Sequence, residues 1–403
     1  MKRRSTLKLA ASSALVGSLP LLWSVGAQAA ETIKIGAVAP KTGPLAGGAA
    51  VTHWPSIKMW VAQVNGRGGL KMKDGSKRLI ELIEYDDRTN PGETIKAVER
   101  LVTQDKADFI ISPYGTGLNL AVAPLFAKHG YPQIAVSAIT DKTGELAARY
   151  PTLFFTLGTT TAFANSVAEV LAKMHKEGKI GNKVAMVNVA DAFGIELAEA
   201  ARPIFKKHGL DIVFDKSYPL GTQDLAPVMK GAVAAKPDAF VAWSYPPDTF
   251  ALAELAKIEN LNVKAYYSAV ATCFPAFSGK FGKSIDGVMG AGGVNLDAPE
   301  MKGFFEEHKK LSGSDADFWA GPVTYASLQV LEQAIEAVGA PDRAAVTEHI
   351  KKASFKTVMG DWKFKNQTIE NFWTVGQWQG GKFNGVASTG KAGEKPVVLK
   401  TGW

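Results

Sequence analysis

A single cysteine, Cys273, serves 403 residues. No intrachain disulfide is possible, so the chain must resist unfolding through core packing alone, with a buried thiol as the ordinary reading of such a residue. Beyond residue 29 there is no apolar run near the ~20 residues that span a bilayer. The chain also lacks a Gly-x-Ser-x-Gly elbow, which removes the signature of an α/β serine hydrolase. Six histidines, His53, His129, His175, His208, His308 and His349, are dispersed, and none pairs at the spacing a metal site needs. Gly282-Lys283-Ser284 ends like a phosphate-binding loop, but Phe277 stands where its opening Gly belongs. Gly115-Thr116-Gly117 lacks the third Gly of a dinucleotide fingerprint. Basic runs are missing too: the net charge of +8 falls to +4 without Lys2, Arg3, Arg4 and Lys8. That is too mild and too scattered for nucleic acid and supports only a small bias toward anionic ligands.

What is present begins with the N-terminus. Its four positive charges precede an apolar run from Leu9 to Val25 and a small-x-small site at Ala27-Gln28-Ala29. This is the grammar of a secretory signal peptide, residues 1–29, cleaved on export. Arg3-Arg4-Ser5-Thr6-Leu7-Lys8 resembles a twin-arginine signal, with Thr6 where Phe is preferred, so the Sec and twin-arginine routes both fit. No cysteine stands directly after the cleavage site, so the mature protein is expected to be free of a lipid anchor.

With 46% hydrophobic and 21% charged residues, the chain has the composition of a globular protein, and its length predicts two lobes with a cleft. Strands are expected at Ile33 to Val38, Leu79 to Tyr85, Phe109 to Ser112, Gln133 to Ser137, Lys183 to Val189, Ile212 to Ser217, Ala239 to Trp243 and Lys264 to Ser268. Helical patterns fill most gaps. After Arg88, Asn90 can cap, Pro91 suits the first helical position and Glu93 can reach back to the cap amide. Strand, helix and parallel strand in repetition predict an α/β protein with doubly wound parallel sheets, whose ligands sit beyond the strands' carboxyl ends. The rhythm runs through Ser137 and again from Lys183 to Val294, with Tyr150 to Gly158 as an extended bridge. Long helices at Val323 to Val338 and Arg343 to Ala353 and a strand-like Phe372 to Val375 follow.

Several segments then carry a family likeness: Ile33-Lys34-Ile35-Gly36, Thr42-Gly43-Pro44-Leu45-Ala46-Gly47, Asp86-Asp87 with Asn90-Pro91, Pro132 to Ser137, and Asp191 with Phe193-Gly194. Tyr325-Ala326, Gly360 before Trp362-Lys363-Phe364, and the terminal Trp403 complete them. In order and spacing the chain resembles the branched-chain amino acid type of periplasmic binding protein, the leucine-binding protein family of ABC transporters. The resemblance implies the type I periplasmic-binding fold, a ligand held between two closing lobes, and delivery to a membrane permease. The expected division is residues 31–157 with 292–357 in one lobe, 158–291 with 358–390 in the other, and 391–403 as a C-terminal tail. A monomer without enzymatic activity, metal or cofactor is expected. The same fold also serves exported sensors that dock on a membrane receptor.

Thr116 and Gly117 follow the third strand and open a helix, so their amides and the Thr116 hydroxyl can meet a carboxylate. Ala138-Ile139-Thr140 is similar to the family segment that supplies a Thr hydroxyl and amides to the same carboxylate, making Ala138 and Thr140 expected contacts. Phe193 stands where the family often has Tyr, and Tyr245 matches a position that often meets the ligand side chain. Amino acid binders of the family hold the ligand ammonium with a Glu shortly after the strand ending at Ser268, where this chain has Ala269-Val270-Ala271. A buried ammonium without a partner costs several kcal/mol. Trp54, Trp243, Tyr245, Tyr266, Tyr267 and Phe274 lie near the predicted cleft loops and can stack on a flat body. The expected ligand is a small carboxylate with an apolar, aromatic body. Branched-chain amino acids stay open if Asp191 or Asp248 replaces the absent Glu.

Overall fold

The computed structural model describes residues 32–370, 372–387 and 391–403. The expected signal peptide, and residues 388–390 of the expected second lobe, lie outside the described residues.

The chain opens with β1 (Ile33–Val38), α1 (Ala46–Thr52), α2 (Trp54–Gly66), a hairpin of β2 (Leu70–Lys71) and β3 (Lys77–Arg78), and β4 (Ile80–Tyr85). It continues through α3 (Pro91–Thr103), β5 (Phe109–Ile111), α4 (Thr116–His129), β6 (Gln133–Ala135), α5 (Thr143–Arg149) and β7 (Leu153–Phe155). Asn90 caps α3 as expected, its side chain accepting the Gly92 and Glu93 amides. Glu93 does not reach back; it pairs with Lys96 at 2.9 Å on the exposed face. The expected bridge of Tyr150 to Gly158 holds a buried strand, β7, parallel to β6.

Next come α6 (Thr160–Lys176), β8 (Lys183–Val189), α7 (Ala192–Lys207), β9 (Asp211–Tyr218), α8 (Ala226–Ala234), β10 (Ala239–Trp243) and α9 (Pro246–Ile258). Then follow β11 (Ala265–Ser268), α10 (Pro275–Phe281) and β12 (Val288–Ala291). The last part contains α11 (Pro299–Ser312), α12 (Ala320–Val338), α13 (Arg343–Lys352), β13 (Ser354–Thr357), β14 (Gly360–Lys365), β15 (Thr368–Ile369), β16 (Val375–Gln379) and β17 (Lys382–Ala387). No helix among the described residues is long and apolar enough to cross a membrane.

One lobe holds the parallel sheet β4-β1-β5 beside the sheet β13-β14-β15-β7-β6, and the other holds β17-β16-β12-β11-β10-β8-β9. The two α/β lobes with parallel central strands match the expected class. Among the described residues the chain crosses between lobes after β7, after β12 and between β15 and β16. The last crossing departs from the expected division. β14 and β15 hydrogen-bond in the sheet of β6 and β7, so residues 360–369 stay with the first lobe. The strand expected at Phe372 to Val375 starts only at Val375, because the preceding residues make the crossing.

Two crossings need glycine. Gly158 has φ +72°, and a Cβ there would fall 1.8 Å from Cε1 of Phe372. Gly292 has φ +94°, and its Cβ would fall 2.0 Å from Cγ of Trp319. Any other residue would have to enter a left-handed conformation and displace a ring at once. The tail packs on the second lobe: the Lys400 amide donates to Lys264 O at 2.9 Å, and the Trp403 ring meets Tyr266 edge-on at 4.9 Å.

Candidate functional site

Strand order decides where the loops converge. In one sheet β1 has β4 on one side and β5 on the other; in the second, β8 lies between β9 and β10. Successive crossovers diverge at such reversals and leave a crevice at the strands' carboxyl ends. The loops after β5 and β10 leave from these points, carrying Tyr114-Gly115 and Trp243 to Tyr245.

Between the lobes lies a narrow cavity. The first lobe lines it with Thr52, Tyr114, Gly115, Val136, Ser137, Ile139 and Leu157, and with Trp319, Ala320 and Thr324 at the start of α12. The second supplies Phe163, Phe193, Leu197, Trp243, Tyr245, Tyr267, Ala269, Val270 and Ala291. None of these residues carries a formal charge.

Rings brace one another around the space. Phe193 and Tyr245 stack at 4.9 Å, Trp243 meets Tyr267 edge-on at 5.4 Å, and Phe163 meets Trp319 at 5.8 Å. Trp319 is held from both sides: Gly292 leaves room for its ring, and Asp317 accepts the amides of Trp319, Ala320 and Gly321 at 3.0, 2.6 and 2.7 Å. Burial pushes the Asp317 carboxyl up to about 6, against the pull of those amides.

Three donors of the wall residues are unspent. Trp243 Nε1, Tyr267 Oη and Trp319 Nε1 are buried with no partner in the protein. Burial raises the Tyr114, Tyr245 and Tyr267 phenols above their ordinary range, so all keep their protons. An unpaired buried donor costs about 1–3 kcal/mol, and three on one cavity create a demand for acceptor atoms.

Of the expected contacts, Phe193, Tyr245 and Tyr267 come together on this wall; Thr116, Gly117, Ala138 and Thr140 do not line it. The Thr116 hydroxyl is turned inward and accepts the Ile139 amide at 3.2 Å. Ala138 is buried among Ala123, Ala135, Leu153 and Phe155, and Thr140 bonds Glu196 across the cleft. Their neighbours Gly115, Ser137 and Ile139 face the space instead, a shift of one residue in each loop. Ser137 Oγ accepts the Gly115 amide at 2.9 Å and ties the two loops together.

Trp243 faces the cavity, whereas Trp54, Tyr266 and Phe274 do not. Tyr266 alternates with Tyr267 along β11 and points to the opposite face, stacking on Phe240 at 5.0 Å. Trp54 lies under Lys41 Nζ, 4.7 Å from its ring centre, and Phe274 is buried at the start of α10. Neither expected replacement for the absent Glu lines the cavity. Asp191 accepts the Gly194 amide and the Tyr245 hydroxyl, both at 3.0 Å, and Asp248 accepts the Tyr245 amide at 3.3 Å. Sequence reasoning missed Trp319; the signal was Asp317, whose carboxylate accepts the first amides of a helix starting three residues earlier than the expected Val323.

The sequence model of the family described as periplasmic binding protein matches residues 32–382. The Leu/Ile/Val-binding protein of Escherichia coli (strain K12) is 25% identical over 382 residues, covering 94% of this chain and 98% of the relative. Among solved structures, an ABC transporter solute binding protein from R. palustris in complex with benzoate superposes with a TM-score of 0.76 at 19% identity, covering 91% of this chain and 99% of that one. The branched-chain amino acid transporter substrate binding protein LivJ of Streptococcus pneumoniae, in complex with isoleucine, superposes with a TM-score of 0.75 at 19% identity, covering 89% and 100%. At these identities the structural likeness is one of fold.

Proposed function

This chain belongs to the periplasmic binding protein family, and from that premise we propose that it captures a small carboxylate with an apolar, aromatic body between two closing lobes. It is a solute-binding protein of the branched-chain amino acid type of ABC transporter, a family of binders rather than enzymes that works with membrane permeases. The expected route is export to the periplasm and delivery, as a monomer, to the permease.

One observation carries the choice of ligand: a cavity of rings without a charged side chain, bearing unpaired donors at Trp243, Tyr267 and Trp319. A carboxylate satisfies donors, and charge-assisted hydrogen bonds are worth about 1.5–3 kcal/mol each. An amino acid would also bring an ammonium into this wall, and desolvation without a counter-charge costs several kcal/mol. A flat apolar body suits the stacked Phe193 and Tyr245. The benzoate complex of one structural relative agrees with this choice and the isoleucine complex of another does not, so the reading rests on the wall chemistry.

The test is isothermal titration of refolded, ligand-stripped mature protein with leucine, benzoate and a hydroxycinnamate. Micromolar binding of an aromatic acid without leucine binding is expected. Tight leucine binding with no response to either acid overturns the proposal.

A further inference from the structure

The cavity wall holds one hydroxyl whose proton is committed to a side chain outside it. Tyr245 Oη donates to Asp191 Oδ2 at 3.0 Å. Asp191 is the N-cap of α7, and its Oδ1 accepts the Gly194 amide at 3.0 Å. The carboxylate is thus fixed through both oxygens. A phenol has one proton and two lone pairs, so with its proton on Asp191 the Tyr245 hydroxyl can offer the cavity only a lone pair.

The position of the oxygen makes this matter. Tyr245 lines the cavity with its ring against Phe193, and a Cβ built on Gly115 of the opposite lobe would lie 3.7 Å from Oη. The hydroxyl therefore sits where the lobes meet. Thr52 and Thr324 also give their protons away, but to carbonyls of their own helices at 3.1 and 2.8 Å. Tyr245 alone on this wall is oriented by an acidic side chain.

We infer that Asp191 is a positioning residue for specificity: by holding the Tyr245 proton, it makes the site select an aromatic acid with a hydrogen-bond donor, such as a ring hydroxyl, on its apolar body. This rests on the carboxylate-binding proposal above. A neutral hydroxyl meets a lone pair without needing the counter-charge that the wall lacks. Asn at position 191 reverses the polarity. Its amide oxygen still accepts the Gly194 N–H, while its NH₂ donates to Tyr245 Oη and frees the phenol proton toward the cavity.

The experiment titrates the mature wild type, Asp191→Asn and Tyr245→Phe with benzoate, 3- and 4-hydroxybenzoate and 4-nitrobenzoate, with leucine as a further arm. The readout is the affinity ratio between ligands on one protein, which a general loss of folded material does not move. The wild type should prefer a hydroxybenzoate over benzoate by about tenfold. Asp191→Asn should lose that preference and shift toward the nitro acid, and Tyr245→Phe should distinguish neither. An unchanged ratio in Asp191→Asn, or equal wild-type binding of benzoate and hydroxybenzoates, overturns this inference alone. Leucine binding with no aromatic acid bound overturns the ligand proposal and this inference with it.

Discussion

Thr140 Oγ1 donates to Glu196 Oε2 at 2.5 Å, joining the loop after β6 in one lobe to α7 in the other. Lys142 Nζ stands 3.6 Å from the other carboxylate oxygen, and its own side chain is 63% exposed. The exposed ion pair adds little; the half-buried hydrogen bond to a charged group is the larger contribution. A bond across a cleft exists only while the cleft is shut, so it belongs to the closed state.

Glu196→Ala should therefore weaken ligand binding without touching the cavity wall. Losing a charge-assisted hydrogen bond of about 1.5–3 kcal/mol corresponds to roughly a 10- to 100-fold rise in Kd, carried mainly by faster dissociation. Stopped-flow dissociation with small-angle scattering of the liganded protein checks this. Unchanged kinetics and an unchanged radius of gyration would mean that the bond does not hold the lobes together.

Asp248 gives a stability profile of unusual sign. Burial raises its carboxyl from 3.8 to about 6, although the Tyr245 amide pulls it down. The folded state then holds the proton that the unfolded chain releases near pH 4. Stability falls as pH rises between those values, and the full penalty applies above about pH 6. Asp248→Asn keeps an acceptor for the Tyr245 amide and removes the charge. The variant should exceed the wild type by up to about 3 kcal/mol above pH 6.5 and by little at pH 3.5. Urea unfolding across that range measures it, and a pH-independent difference would refute the assignment.

The strands were legible because a two-sided parallel sheet needs unbroken apolar runs, and β1, β8 and β10 begin and end where those runs do. Phe193, Tyr245 and Tyr267 could be placed because each follows or ends such a strand. The orientation of Thr116 and Thr140 could not be read locally. Whether a hydroxyl turns to a ligand or to a partner depends on Ile139 and Glu196, 23 and 56 residues away. Two-residue strands such as β15 carry too few residues for a periodic signal, so the last crossing became visible only from sheet pairing.

Gly292→Ala should damage the site from behind. The backbone at φ +94° disfavours any side chain, at a cost of about 1–3 kcal/mol, and the methyl would meet the Trp319 indole. Because that indole is a cavity wall at a lobe crossing, melting temperature and ligand affinity should fall together. A drop in melting temperature with intact affinity would show that Trp319 keeps its place by other contacts.

Tyr267→Phe separates the needs of the fold from those of the ligand. The Tyr267 side chain is fully buried and its hydroxyl has no partner in the protein. Deleting an oxygen that makes no hydrogen bond removes a buried unsatisfied group worth about 1–3 kcal/mol, so the ligand-free variant should be as stable as the wild type or more so. A carboxylate that depends on this donor should meanwhile bind about tenfold or more weakly. An ordinary core hydroxyl behaves the other way, costing stability when removed and leaving binding alone. Thermal unfolding without ligand and titration with benzoate, on the same two proteins, thus give opposite signs if the donor serves the ligand. Lower stability with unchanged affinity would assign the hydroxyl to the fold and leave Trp243 and Trp319 as the remaining candidates for the carboxylate.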